Sequence, residues 1–138
     1  QLSLGKISVK PFEPKTATPG EEVQRKKDLR DFILKNSLNV NDVIDACINK
    51  ERISVEVRFN LFDGNKKDVS RYDKDLDNLL KIVLDVIPKY MDNKQTDREP
   101  GLGIIKNDNQ VFEVHSYKKF TQDPSLEGIE IIFSEWKD

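Results

Sequence analysis

Alternation of apolar and polar residues defines the clearest element of the chain. From residue 53 to residue 61 every odd position is apolar and every even position is polar, which predicts a strand with one buried face. Shorter apolar runs predict further strands at about residues 7–9, 102–106, 110–118 and 129–136. The pattern therefore predicts a sheet of about four to five strands.

Apolar residues recur at helical spacing in three other segments, over about residues 21–36, 42–48 and 76–90. Asn41 is a suitable N-cap for the second of these helices. The third helix has an apolar stripe on one side, while Asp77, Lys81 and Asp85 share the opposite face because they are spaced i, i+4 and i+8. Together these elements predict one α+β domain over residues 1–138, with a mixed sheet and helices packed on one side.

Two connections in the second half of the chain are predicted, one a mobile loop and the other a tight turn. Residues 91–103 are polar and contain Pro and Gly, so we expect a mobile loop insert there. Residues 107–109 are Asn, Asp and Asn, and they separate two strand-like runs. This short polar link predicts a tight hairpin between those two strands.

Length and composition limit the class of protein. The 138 residues suit one domain with one core, and 35% of them are charged. Cys47 is the only cysteine, so an intrachain disulfide is excluded and this thiol is expected to pack as a small apolar group. No apolar run approaches the length of a membrane span, and the first residues lack the pattern of a signal peptide. We therefore expect a cytoplasmic protein with no membrane partner.

The net charge of −2 argues against a strongly basic nucleic-acid binder. The charges are unevenly distributed, however. Residues 1–35 contain eight Lys and Arg against five Asp and Glu, which gives 8 − 5 = +3. A DNA-binding function is weakened by the overall balance and is not excluded by it.

Three aspartates are the strongest candidates for chemistry. Asp75 and Asp77 lie at the start of the third predicted helix, and Asp108 lies in the predicted hairpin turn. Residues i and i+2 of a helix point about 200° apart, so Asp75 and Asp77 can converge only if Asp75 precedes the helix as its N-cap. Clustered carboxylates favour a hard cation such as Mg²⁺. The alternative is that these acids only cap the helix, complement its dipole and form a turn.

Lys81 has two interpretations as well. It can form a surface ion pair with Asp77 or Asp85, which would contribute little stability. It can also stabilise the charge that develops on a phosphate during cleavage. His115, the only histidine, is expected to have a surface or structural role. The sequence contains no Gly-rich phosphate loop, zinc-ligand spacing or Ser/His/Asp arrangement.

The same residues resemble the motifs of the RusA family of Holliday junction resolvases. The first motif, Asp-x-Asp-Asn-x-x-Lys, stands here as residues 75–81, and the second, x-Asp-x-Gln-Val, stands as residues 107–111. Lys118 occupies the family's downstream basic position, and the match in element order covers roughly residues 53–136. Three features depart from the family pattern: the length added by residues 91–103, Asn107 in place of a frequent aspartate, and the acidic net charge.

The resemblance implies a RusA-like fold and a homodimeric, magnesium-dependent endodeoxyribonuclease that resolves four-way DNA junctions. It assigns the metal, with Mn²⁺ as a substitute for Mg²⁺, to Asp75, Asp77 and Asp108, and a catalytic cationic role to Lys81. The candidate DNA contacts are basic residues distributed over the chain: Lys15, Arg25, Lys26, Arg30, Lys66, Lys67, Arg71 and Lys118.

Two other functions remain open from the sequence. The acidic balance and the single acid at the turn are compatible with a junction-binding or partner-binding module of the same fold with weak or no catalysis. A protein-interaction domain without any nucleic-acid role is the third alternative. Binding to DNA at low salt separates this last class from the others, because phosphate contacts strengthen as salt falls.

Overall fold

The computed structural model describes residues 2–63, 75–92, 94 and 96–137. These residues form one small α+β domain with a four-stranded mixed sheet and three α-helices, which confirms the predicted fold class. In chain order the elements are β1 (Ser3–Val9), α1 (Glu22–Asn36), α2 (Val40–Cys47), β2 (Ile53–Phe62), α3 (Leu76–Val86), β3 (Val111–Thr121) and β4 (Gly128–Glu135). Single 3₁₀ turns lie at Asp108–Gln110 and Pro124–Leu126.

The sheet has the strand order β1-β4-β2-β3. Strand β4 runs antiparallel to both β1 and β2, whereas β3 runs parallel to β2. The buried face predicted for residues 53–61 is confirmed, because all of its odd positions are buried, whereas Ser54 and Asn60 on the polar face are buried as well. Ile53, Val55, Val57 and Phe59 join the buried residues of the helices, β1 and β4 in one apolar core.

The opposite face of the sheet carries an ion-pair network centred on Glu130. Its carboxylate accepts a hydrogen bond of 2.9 Å from Lys10 Nζ and lies 3.2 Å from Lys6 Nζ. Arg58 Nη1 lies 3.9 Å away on the neighbouring strand. The hydrogen bond from Lys10, with a smaller contribution from Lys6, holds the pKa of Glu130 below its ordinary value of 4.5.

Glu130→Gln is expected to lower the free energy of unfolding at pH 7 by about 1 kcal/mol, because the amide keeps the shape and loses the charge. The folded-state pKa of Glu130 is depressed, so this stabilisation is present above pH 4.5 and is lost as the pH falls through the folded-state value. Thermal melts of both proteins at pH 7 and pH 3 measure the effect. An equal difference at both pH values would contradict the assignment.

The end of α3 differs from the prediction. The helix ends at Val86 rather than near residue 90, because its last carbonyls bond to a returning segment of the chain. The amides of Leu102 and Ile104 donate to the carbonyls of Val86 and Ile87 at 2.8 and 3.0 Å. Gly101 approaches so closely that a Cβ there would lie 2.0 Å from the carbonyl oxygen of Pro88.

These bonds also explain why the strand predicted at residues 102–106 is wrong. Its amides are used by the helix end, and only Ile105 forms an isolated bridge, with Pro88. The predicted hairpin is wrong for a related reason. The residues after the 107–109 link enter β3, which pairs in parallel with β2 and has no strand at 102–106 to fold back upon.

The segment predicted to be a mobile insert is attached to the domain at its described residues. Met91 N donates to Glu99 O at 2.9 Å, and Tyr90 forms a bridge with Pro100. Glu99 also accepts a hydrogen bond of 2.6 Å from Arg30 Nη1 on α1, which lowers the pKa of the Glu99 carboxyl. Residues 93 and 95 lie outside the described part.

The N-cap of α2 is Asn39 rather than Asn41, and the helix begins at Val40. Asn39 Nδ2 donates to the carbonyl of Lys6 at 2.7 Å, so a contact with β1 fixes this position. In α1, Leu29 and Ile33 form the buried face, whereas Val23 is exposed. No helix in the described ranges is long and apolar enough to cross a membrane.

Candidate metal and phosphate site

The start of α3 has the geometry that the sequence predicts. Asp75 is the N-cap with an extended backbone (φ −70°, ψ 123°), and its side chain accepts a hydrogen bond of 3.0 Å from the amide of Asp77. This bond satisfies one of the amides that have no partner within the helix. Asp77 begins the exposed face of the helix, one residue inside the cap. The N-cap prediction for Asp75 is therefore confirmed.

Asp77 and Asp108 line the same cavity, of about 440 Å³, between α3 and the beginning of β3. Lys81 and Asp85 line it from the same helix face as Asp77. Its apolar wall consists of Leu80, Leu84, Val111 and Val114. Asp75 is not among the lining residues. The fold thus brings Asp77, Lys81 and Asp108 to one cavity. Asp75 stays outside the lining, at the N-cap of α3.

Some of the charged side chains around this cavity form ion pairs with side chains of α1. Asp85 Oδ2 lies 2.8 Å from Lys26 Nζ, whereas Lys81 Nζ lies 4.0 Å from Glu22 Oε2. The Lys81 side chain is 61% exposed, so its ammonium group stays accessible beside the cavity. The Lys81 ammonium group and the carboxylates of Asp77 and Asp108 consequently remain accessible to a ligand.

Gln110 fixes the turn that carries Asp108. Its Oε1 accepts a hydrogen bond of 2.7 Å from the amide of Lys106, and its Nε2 donates to the carbonyls of Lys50 and Ile48 at 2.6 and 3.4 Å. The residue is buried, so these bonds tie the turn to the segment that follows α2. From the sequence, Gln110 was the start of a predicted strand and a member of the second family motif, with no structural role assigned to its side chain.

Cys47, His115 and Trp136 lie apart from the cavity. Cys47 is buried in the core, as predicted, and burial raises the pKa of its thiol to about 11. His115 is exposed on β3, with Nε2 3.3 Å from Glu113 Oε2. Trp136 packs against Phe112, with ring centroids 5.2 Å apart. These contacts give the three side chains structural or surface positions.

The basic residues proposed as DNA contacts are distributed as follows. Lys66, Lys67 and Arg71 lie outside the described residues. On α1 the basic side chains pair with acids, as seen in Arg25–Glu21, Lys26–Asp85 and Arg30–Glu99. Lys15 lines a second cavity between the N-terminal loop, α1 and α3. Lys118 lies on β3, two strand repeats beyond Val114.

The side chains at the cavity are chemically suited to magnesium. Among the described ranges no three His, Cys, Asp or Glu side chains are grouped to hold a metal ion. Mg²⁺, however, keeps several waters and is usually bound through one or two carboxylates together with substrate phosphates. Asp77 and Asp108 line one cavity and each offers it a carboxylate of that kind.

Comparison with known proteins adds one relative. Over 60 residues the chain is 39% identical to a protein named "Crossover junction endodeoxyribonuclease RusA" from Aquifex aeolicus (strain VF5). The chain is similar to RusA. The match covers 44% of this chain and 36% of the length of the relative, so it supports a RusA-like relationship over less than half of the chain. No protein-family model and no solved structure matches the chain.

Proposed function

We propose that this chain is a magnesium-dependent, structure-specific endodeoxyribonuclease that resolves four-way DNA junctions. The observation that carries the proposal is the cavity shared by Asp77, Lys81 and Asp108. Two carboxylates and an accessible cation at one opening suit a phosphodiester with a bound divalent ion. The name of the similar protein supports the same class of reaction and substrate.

Asp77 and Asp108 would hold Mg²⁺, or Mn²⁺ in its place, and Asp75 would complete the set from the helix cap. The bound ion would supply an activated water and offset the charge of the scissile phosphate. Lys81 would interact with the non-bridging or leaving oxygens, where negative charge increases during cleavage. Its position one turn after Asp77 places this positive charge on the same helix face as the carboxylate.

Resolution of a junction requires two symmetric cuts, and we propose that a two-fold homodimer provides the two sites. Basic residues, Lys15 and Lys118 among them, would contact the DNA backbone. Because three basic side chains of α1 are already paired with acids, fewer phosphates would be neutralised, so the affinity for DNA is expected to rest on the remaining cations and to vary less steeply with salt than in a strongly basic protein.

A synthetic four-way junction tests the proposal directly. We expect cleavage of two opposed strands in Mg²⁺ or Mn²⁺ and no cleavage in EDTA. A linear duplex of the same sequence is the matched substrate control and should be cut far more slowly. Denaturing gels of end-labelled strands give the cut sites. Equal cleavage of junction and duplex would contradict structure specificity, and an active protein in EDTA would contradict the metal requirement.

A catalytically weak or inactive junction-binding module is the second candidate. It is favoured by the net charge of −2 and by Asp108 being the single acid in the turn before β3. Tight junction binding in gel shifts, without cleavage in either metal, would establish this function in place of the nuclease.

A further inference from the structure

A further cavity, of about 200 Å³, adjoins the one between α3 and the beginning of β3. Asp85 and Asp108 line both cavities, so the two lie side by side. Tyr90 and Arg98 line it from the segment that follows α3, and Lys106 lines it from the turn before β3. We call it the insert cavity, because residues 91–103 supply part of its wall.

Tyr90 gives the insert cavity an aromatic surface. The central carbon of the Arg98 guanidinium group lies 4.8 Å from the centroid of this half-buried ring, and Lys89 Nζ lies 5.7 Å from the same centroid. Cations over an aromatic face attract the ring, so they hold its orientation. Proteins that bind single strands use such rings and guanidinium planes as stacking surfaces for bases, because every base has a π-face.

The chain around Tyr90 is fixed to the rest of the domain. Tyr90 forms a bridge with Pro100, and Met91 N donates to Glu99 O at 2.9 Å. Glu99 in turn accepts a hydrogen bond of 2.6 Å from Arg30 Nη1 on α1. A surface that is already ordered loses less conformational entropy when a ligand binds, so these contacts favour stacking on Tyr90.

Three cations at or near the insert cavity differ from those of α1. No ion pair formed among the described residues involves Lys89, Arg98 or Lys106, and all three residues are exposed. The amide of Lys106 donates to Gln110 Oε1 at 2.7 Å, which fixes the backbone of this lysine in the turn before β3. Accessible cations beside an aromatic ring are suited to the phosphates of a nucleotide.

The acids of the insert cavity have partners or a proposed role. Asp85 Oδ2 lies 2.8 Å from Lys26 Nζ, and Asp92 Oδ1 accepts a hydrogen bond of 3.0 Å from the amide of Lys94. Asp108 belongs to the proposed metal set. The repulsion of phosphates by these acids is therefore reduced. A volume of about 200 Å³ leaves room for one base rather than for a base pair, so the nucleotide that enters must be unpaired.

We propose that the insert cavity binds one unpaired nucleotide of a DNA strand, with its base stacked on Tyr90 and its phosphates held by Arg98 and Lys106. The binding of an unpaired nucleotide stands on its own, whereas its position next to the cleaved phosphate rests on the proposed function. Because Asp108 lines both cavities, a strand whose phosphate lies at the metal would place a neighbouring nucleotide at Tyr90. The insert would thereby favour DNA in which a base beside the cut is unpaired.

Binding of a single strand in EDTA tests the stacking and needs no cleavage. The probe is a fluorescein-labelled strand of about 12 nucleotides, followed by fluorescence anisotropy at low salt. Tyr90→Leu should weaken the affinity about five- to 100-fold, because the stacking of a base is lost. Tyr90→Phe keeps the ring and should bind within about twofold of the wild type. Tyr117→Leu, on exposed β3, makes the same replacement outside the cavity and should leave the affinity unchanged.

An abasic strand of the same length separates the base from the backbone. It keeps the phosphates and lacks the bases, so the wild type and Tyr90→Leu should bind it equally. An equal loss of affinity for both strands would overturn the assignment of the base to Tyr90. Circular dichroism melts of the variant establish that it is folded at the temperature of the measurement.

Lys106→Gln tests the phosphate contact on the surface of the domain. The backbone bond of Lys106 to Gln110 survives this change, so the turn is expected to keep its structure. The slope of log affinity against log salt should become shallower by about 0.7 for one lost phosphate contact on a single strand. Lys35→Gln, on exposed α1, removes the same charge elsewhere and should leave the slope unchanged. A wild-type slope in Lys106→Gln would contradict its role.

Two results would overturn the proposal even if the protein cleaves junctions. One is a wild-type protein that binds no single strand at low salt, and the other is full affinity in Tyr90→Leu. Binding that depends on Tyr90 in a protein that never cleaves would leave this site valid and contradict only the proposed function.

Discussion

Asp77→Asn is expected to lower magnesium-dependent junction cleavage by about 10²–10³-fold, the largest effect on activity that we foresee. The change removes one negative charge from the cavity and retains the size of the side chain. The Asp75 cap stays in place, because it accepts its bond from the backbone amide of residue 77 rather than from the side chain. Single-turnover cleavage of a labelled junction at saturating protein measures the effect.

Asp45→Asn is the matched control, since it removes the same charge from the exposed surface of α2. It should cleave at the wild-type rate. Loss of Asp77 from the first turn of α3 should cost only about 0.3–1 kcal/mol of stability, so both variants remain folded under the assay conditions. Wild-type cleavage by Asp77→Asn would exclude the cavity as the catalytic site.

Gln110→Ala is expected to lower the free energy of unfolding by about 2–4 kcal/mol, the largest effect on stability that we foresee. The substitution leaves the Lys106 amide and the Lys50 carbonyl without their partner in a buried position. It also releases the turn that carries Asp108, so junction cleavage should fall even in the fraction that remains folded. Urea denaturation followed by circular dichroism measures the stability.

Asn109→Ala, in the same turn, provides the comparison for Gln110. Asn109 is exposed, and its backbone amide, which donates to Asn107 Oδ1 at 3.0 Å, survives the substitution. Its stability should lie within about 0.5 kcal/mol of the wild type. Equal urea midpoints for the two variants would show that the Gln110 bonds contribute nothing specific.

Features that depend on residues close together in the sequence were predicted correctly. The alternation at residues 53–61 identified β2 because its odd positions form one face of the strand and all of them are buried. The Asp75 cap was predictable because its hydrogen bond spans two residues. The strand predicted at residues 102–106 failed because its amides bond to the end of α3, a partner that periodicity does not reveal.

In the candidate site, too, the local arrangement could be predicted from the sequence and the long-range approach could not. The shared face of Asp77 and Lys81 follows from helical spacing, whereas the approach of Asp108 to that face depends on the parallel pairing of β3 with β2. The sequence predicted that Asp108 lies near the helix start, but it placed this residue in a hairpin turn rather than before a strand parallel to β2. Contacts between distant parts of the chain could not be predicted from composition or spacing. Examples are the bonds of Gln110 to residues 48 and 50 and the Lys26–Asp85 pair.

The close approach of Gly101 to Pro88 has a consequence for recognising this architecture in other genomes. Any side chain at that position collides with main-chain atoms, so the return of the chain to the helix tolerates only glycine there. Changes in the length of the chain before it need not disturb α3, because the bonds of residues 101–104 to residues 86–89 lie after that segment. A divergent sequence that keeps this glycine and the acidic helix start should therefore preserve the same connection, whatever the size of the excursion between them.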